Sequence, residues 1–170
     1  RSLPPVIGEP TNAHGQVGVC RGVDECARAV RKIAALGADA IKFHATGGVL
    51  DPGELGLEQH FTDAEMKAIV DTAHSLHLKT AAHAHGAGGI LAAVRAGVDS
   101  IEHGTFIDAA GIQEMKRRGT YYSATLMAFG GVQQMLGKGI MAPASGAKGR
   151  RALERWGTGL NMAYRARVKV

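Results

Sequence analysis

The run Ala40-Ile41-Lys42-Phe43-His44 is short and apolar, carries a lysine near its end, and leads straight into Ala45-Thr46-Gly47-Gly48. Its reading decides the fold, because two more runs of the same kind follow it. Thr80-Ala81-Ala82-His83-Ala84-His85-Gly86 and Asp99-Ser100-Ile101-Glu102-His103-Gly104 each look like a strand closing on histidine just before a glycine. Surface decoration does not explain a lysine and two histidines in such positions. Lys42, His83 and His103 are therefore candidate ligands at the C-terminal mouth of a parallel barrel, where barrel sites gather.

The surrounding sequence supports that reading. Residues 24–36 place Cys26, Ala27, Val30, Ile33 and Ala34 on one helical face, with Asp24 as the expected cap and Gly37 as the stop. A strand follows over 38–43. Thr62 and Glu65 then form a capping box, and Phe61 and Met66 hold the two positions of a hydrophobic staple. The buried stripe of that helix is predicted to be Met66, Ile69, Val70, Ala73 and Leu76. Strand 79–84 precedes helix 87–96, with Ile90, Leu91 and Val94 inward. Strand 98–103 precedes helix 109–118, opened by Asp108 and closed by Gly119. Strand 120–125 leads through a Gly- and Met-rich stretch, 127–147, to a basic helix over 149–165, and Val168-Lys169-Val170 reads as a strand beginning.

Gly37-Ala38-Asp39-Ala40-Ile41 recurs as Gly97-Val98-Asp99-Ser100-Ile101, each time at a helix-to-strand passage. Strict alternation with short connections indicates parallel β/α units. Ligands at the strand ends favour a (β/α)8 barrel over an open sheet, and no glycine-rich phosphate fingerprint follows any strand. A complete barrel needs about 250 residues, against the 170 of this chain. The prediction is an α/β protein whose residues 1–170 form a single partial (β/α)8 domain, an interior segment of an incomplete TIM barrel.

Composition narrows the function. The chain is 45% hydrophobic and 21% charged, with a mean hydropathy of −0.04, as expected of a globular domain. No apolar stretch approaches the roughly 18 residues of a membrane span, and no signal-peptide pattern opens the chain. The net charge of +5 comes largely from Lys116-Arg117-Arg118 and from the stretch between Lys148 and Lys169. Neither is interleaved with aromatics, so a solvated helix face is expected and no nucleic-acid or membrane partner. Cys20 and Cys26 lack CxxC spacing, which predicts neither a zinc knuckle nor a disulfide. A reducing, cytoplasmic setting follows as the expectation.

Strand geometry sets the chemistry. Residues i and i+2 share a face, so His83 and His85 both enter the mouth, whereas Glu102 and His103 diverge. With His103 inward, Glu102 is expected to point toward the helical layer. Imidazoles on neighbouring strands suit zinc or a related divalent ion. Lys42 contributes differently: an amine held beside metals and apolar walls has its charged form disfavoured, and the neutral amine can add carbon dioxide. The carbamate so formed can bridge two metals about 3.5–4 Å apart, a pair suited to holding a hydroxide and polarising a carbonyl.

Gly37-Ala38-Asp39-Ala40-Ile41-Lys42 with Ala45-Thr46-Gly47-Gly48-Val49 resembles the amidohydrolase superfamily. The likeness is narrower still to its branch of Xaa-Pro dipeptidases, imidazolonepropionase-like hydrolases and ochratoxin-degrading amidases. Ala82-His83-Ala84-His85-Gly86 and Ala96-Gly97-Val98-Asp99-Ser100-Ile101-Glu102-His103-Gly104 match that branch in the same order and separation, as does Gly22-Val23-Asp24-Glu25. The resemblance runs from about residue 10 to the end. It implies that the segment covers about strands 4 to 8, that Lys42 is the carboxylated bridging lysine, and that His83 and His103 are metal ligands, with two zinc ions as the expected pair. His85 falls where relatives place a tyrosine that contacts the substrate carbonyl, which makes it a catalytic and substrate-binding candidate. His14 matches an upstream histidine that polarises the scissile bond, although its flanks depart from the family's glycine-rich pattern.

Two family features have no counterpart in this sequence: the His-x-His after the first strand and the strand-eight aspartate that acts as general base. The resemblance thus implies a metal-dependent hydrolase of small N-acyl amino acids or dipeptides, by way of a metal-activated hydroxide, with these 170 residues alone inactive. Lactone, ester or cyclic-amide hydrolysis on the same scaffold is the first alternative. A truncated barrel serving as a non-catalytic binding or assembly module is the second. Open sheet edges predict a homo-oligomer.

Overall fold

Helices and strands alternate because the apolar spacing does, and several crossings are fixed by a cap or a glycine. The computed structural model describes residues 6–7, 19–51 and 57–170. In chain order the elements are β1 (Val6–Ile7), α1 (Val23–Ala35), β2 (Ala40–His44), α2 (Asp63–Ser75), β3 (Lys79–Ala84) and α3 (Ala87–Ala96). They continue as β4 (Ser100–His103), α4 (Ala109–Arg118), β5 (Tyr121–Ser123), α5 (Leu126–Gly137), α6 (Pro143–Glu154) and α7 (Thr158–Ala166). The strands form one sheet in the order β1-β2-β3-β4-β5, and every pair is parallel. This is the α/β partial barrel that the sequence predicts. β1 is an addition, a strand that the periodicity does not reveal.

One face of the sheet is dry. Ile41, Phe43, Ala82 and Ile101 point into a core shared with Val30 and Ile33 of α1, Met66 and Ile69 of α2, Ile90 and Val94 of α3 and Met115 of α4. Burial of each such Ile or Phe stabilises the fold by about 1.5–3 kcal/mol. The helices pack in sequence order, α1 on α2, α2 on α3 and α3 on α4.

The capping box is present in full: the Thr62 hydroxyl accepts from the Glu65 amide (3.3 Å) and the Glu65 carboxylate accepts from the Thr62 amide (2.8 Å). Phe61 and Met66 are both buried, so the staple closes. Asp108 accepts from the Gly111 amide at 2.8 Å and caps α4 as predicted. α3 and α4 end on left-handed Gly97 and Gly119, a conformation glycine adopts without a Cβ penalty.

Several expectations are corrected. Asp24 does not cap α1; the N-cap is Gly22, whose amide donates to Glu65 of α2 at 2.6 Å, so a neighbouring helix supplies the acceptor. Leu76 is 40% exposed and leaves the stripe of α2, because the helix has ended at Ser75. Much of the stretch 127–147 is helical: α5 and α6 form a hairpin that packs on itself around Phe129, Val132 and Ala152. The basic helix 149–165 is broken at left-handed Gly157 into the end of α6 and α7. Val168-Lys169-Val170 is not a strand, yet the Tyr122 amide donates to the Lys169 carbonyl at 2.8 Å, along the outer edge of β5.

Cys20 and Cys26 are joined in a buried disulfide, against the reading of two unpaired thiols. The link draws the chain entering α1 onto the first turn of that helix. Free cysteines no longer support a reducing compartment. Among the described residues no helix is long and apolar enough to cross a membrane.

Candidate metal centre

The other face of the sheet carries the polar side chains. Register places Lys42 beside Ala81 and His44 beside His83, and His83 beside Glu102. Lys42, His44, His83 and Glu102 are all half-buried on this face. Glu102 therefore points with the site and away from the helical layer, accepting from the Ser100 hydroxyl at 2.8 Å, which corrects the expectation that it would diverge. His103 is nevertheless also in the site. Its φ of +71° breaks the alternation at the strand end and swings its ring to 4.6 Å from that of His83 and 4.9 Å from that of His85.

His83, His85 and His103 form the core of the arrangement. One ring nitrogen from each lies within 4.8 Å of the others, close enough for the three to hold one metal ion. Two rings are fixed from behind: His85 Nδ1 meets the Thr105 hydroxyl at 2.7 Å, and His103 Nδ1 meets the Thr125 hydroxyl at 2.6 Å. Such second contacts orient ligating imidazoles and leave Nε2 of each ring for the site. His83 Nε2 is buried with no hydrogen-bond partner among the described residues. A buried polar atom left unpaired costs about 1–3 kcal/mol, and a metal ion in this cluster would remove that cost. The residues fit a divalent ion.

Electrostatics agree. Burial pushes the His83 imidazole well below its ordinary range, reinforced by the neighbouring His85, His44 and His103. Burial, then His103, lowers His85 to about 3. Burial, then the Lys42 ammonium, lowers His103 to about 4, with Glu102 opposing. Neutral imidazole is the form that binds metal.

Lys42 stands one strand away on the same face, with no hydrogen bond or ion pair to any described residue. His14, the upstream candidate, lies outside the described residues. Sequence reasoning passed over His44, whose ring stacks on that of His83 at 4.4 Å; its place two residues after Lys42 was the available signal. It also passed over Thr46, a buried side chain whose hydroxyl accepts from the His85 amide at 2.9 Å and so positions the end of β3 from β2.

The cluster opens into a cavity of about 320 Å³. Its floor is the three histidines with Thr105, and its far wall is Val49, Phe129, Val132, Met135 and Ala152. The site thus has a polar pole on the strand ends and an apolar pole on the α5–α6 hairpin. A small molecule with one polar, hydrolysable bond beside an apolar group has the matching polarity.

Known proteins carry the same framework. The ochratoxinase of Aspergillus niger is 38% identical over 111 residues, which make up 65% of this chain and 23% of that protein. The crystal structure of a Xaa-Pro dipeptidase with methionine bound in its active site superposes with a TM-score of 0.87 at 34% identity, over 96% of this chain and 44% of that one. The A. niger ochratoxinase structure gives 0.78 at 29% identity, over 96% and 38%. The chain thus spans less than half the length of each of these relatives. The sequence profile of the Amidohydrolase family matches residues 5–155. With that match extending over nearly all of the parallel sheet and the three clustered histidines, the chain belongs to the amidohydrolase family.

Proposed function

We propose that residues 1–170 form one partial (β/α)8 unit of a metal-dependent amide hydrolase acting on small N-acyl amino acids or dipeptides. The observation that carries this reading is the cluster of neutral His83, His85 and His103 at the strand ends, with His83 Nε2 buried and unpartnered. In this reading His83 and His103 would hold a metal, with zinc suiting the imidazole set, and Lys42 as a carbamate would be a further ligand. A metal bound there supplies a Lewis acid that polarises the substrate carbonyl and lowers the pKa of water.

The chain's own residues do the rest. His85 is anchored through Nδ1 on Thr105, which leaves Nε2 to hydrogen-bond the carbonyl oxygen of the substrate. Thr125 sets the ring plane of His103 from behind. The apolar wall of α5 and α6 excludes water from one side of the scissile bond, and lower local polarity strengthens each of these contacts.

The test is metal content by elemental analysis of the protein expressed from its complete natural coding sequence, with and without bicarbonate. His83→Ala and His103→Ala should each lose bound metal. Lys42→Ala should lower it and abolish the bicarbonate response. Metal binding that survives all three substitutions would sink the reading.

A further inference from the structure

A second cavity, of about 390 Å³, lies at the other end of the strands, over the turns that enter β4 and β5. It is lined by residues 97–99 and 119–121 of those turns and by three cations, Lys79, Arg118 and Lys169. Lys79 opens β3, so His83 lies further along the same strand, about 13 Å away at the usual strand rise.

Charge in this cavity is unbalanced. Its one carboxylate is Asp99, which already accepts from Lys79, His74 and Thr80. Arg118 gives Nε to Glu114 at 2.6 Å, a carboxylate it shares with Arg117. The two terminal nitrogens of Arg118 have no hydrogen-bond partner among the described residues. Lys169 Nζ pairs with no carboxylate of a described residue and lies over the Tyr121 ring, 5.1 Å from its centroid. Outside the described residues the only acidic side chains are Glu9 and Glu54, which come after β1 and β2, beyond their C-terminal ends.

The macrodipole of α4 favours a cation at Arg118, but Lys79 and Lys169 belong to no helix. The Tyr122 amide, donating to the Lys169 carbonyl at 2.8 Å, ties the backbone of that lysine to β5. Gly119 has a φ of +73°, and a Cβ there would stand 3.4 Å from Lys169 Nζ. The missing side chain thus leaves room beside the ammonium.

We propose that this cavity is an anion site in which Arg118 and Lys169 hold the phosphate group of a small phosphate monoester. A guanidinium offers paired N–H groups to phosphate oxygens, and an ammonium adds a point charge. Lys79 neutralises Asp99, the one group that would repel the ligand. The volume is that of a small-molecule pocket, more than a bare phosphate fills, which leaves space for the organic part. Neither the ligand nor its test depends on the amide-hydrolase reading.

The experiment is calorimetric titration of the complete protein, at low ionic strength, with glycerol 3-phosphate and with inorganic phosphate. The ester should bind the more tightly. Arg118→Ala and Lys169→Ala should each weaken its binding about tenfold. Both residues are exposed, so neither change should disturb folding. Gly119→Asn keeps every charge and suits the left-handed backbone, yet it fills the cavity and should weaken the ester as well. His83→Ala, at the far end of β3, should leave this binding unchanged. Binding lost in His83→Ala belongs to the histidine cluster and overturns the site. Binding that is absent, or that any one of the other three substitutions leaves unmoved, overturns it too. An ester bound no more tightly than inorganic phosphate overturns the monoester as its ligand.

Discussion

His103 reaches the histidine cluster only through a left-handed backbone, and the residue after it makes that turn possible. Gly104 has a φ of +57°, and a Cβ there would run into the Tyr122 ring. Tyr122 in turn donates its hydroxyl to the His103 carbonyl at 3.0 Å, so strand end, turn and ring form one packed unit. Gly104→Ala is therefore expected to destabilise the fold by about 2 kcal/mol or more, from backbone strain and overpacking together. Urea unfolding should show a lower midpoint with an unchanged slope; a midpoint within error of the unmodified protein would contradict the packing argument. The histidine and its glycine were legible in the sequence as a strand end. The inward swing of His103 was not, because alternation assumes extended backbone and sends Glu102 and His103 to opposite faces. Glu102 keeps the alternation and faces the site, and His103 escapes it.

Between elements, Asp99 does what the repeated Gly-x-Asp pattern only hinted at. It lies just before β4 and accepts from Lys79 Nζ (2.7 Å), His74 Nε2 (2.7 Å), the Thr80 amide (2.9 Å) and the Thr80 hydroxyl (3.0 Å). The start of β4 is thereby tied to α2 and to the start of β3. Burial pushes the carboxyl up, but the hydrogen bonds from Lys79, His74 and Thr80 outweigh it and hold the group below the usual carboxylate range. A carboxylate with a depressed folded pKa adds stability above its unfolded value of about 3.9, and that stability fades as pH falls from there toward the folded pKa. Asp99→Asn should thus cost about 1.5–3 kcal/mol at pH 7, with the gap narrowing below about pH 4. Urea titrations at pH 7 and pH 3 check this, and a gap equal at both would remove the charge from the account.

Capped elements such as α2, α3 and α4 were readable to within a residue because local chemistry fixes their ends. The α5–α6 hairpin was not. Gly130 and Gly131 lower its helix propensity, and the packing of Phe129 and Val132 against Ala152 overrides them. Lys148 hid in the same way, as one basic residue among several, although it is buried and donates to the Gly48 and Asp51 carbonyls. Its signal was a helix face of Ser145, Gly149 and Ala152, too small and apolar to be a solvated one.

At the scale of the molecule, the sheet is an open arc. Among the described residues no strand pairs with the free edge of β1, and along β5 only the Tyr122–Lys169 bond begins another pairing. The inner face, with Lys42, His44, His83 and Glu102, stays half-exposed, whereas a closed barrel fills its interior with side chains from all eight strands. Exposed parallel edges template association. Met127 is 91% exposed, Ile140 67% and Tyr164 74%, which adds apolar surface able to drive the same association. Purified residues 1–170 are therefore expected to self-associate, with the sedimentation coefficient rising with concentration. Glu102→Lys would place a further cation on the same inner face as Lys42, two strands away, and it should weaken the association if that face lies within the contact. A monodisperse monomer at all concentrations, with full cooperative unfolding, would show that the arc is stable with both its edge and its inner face open.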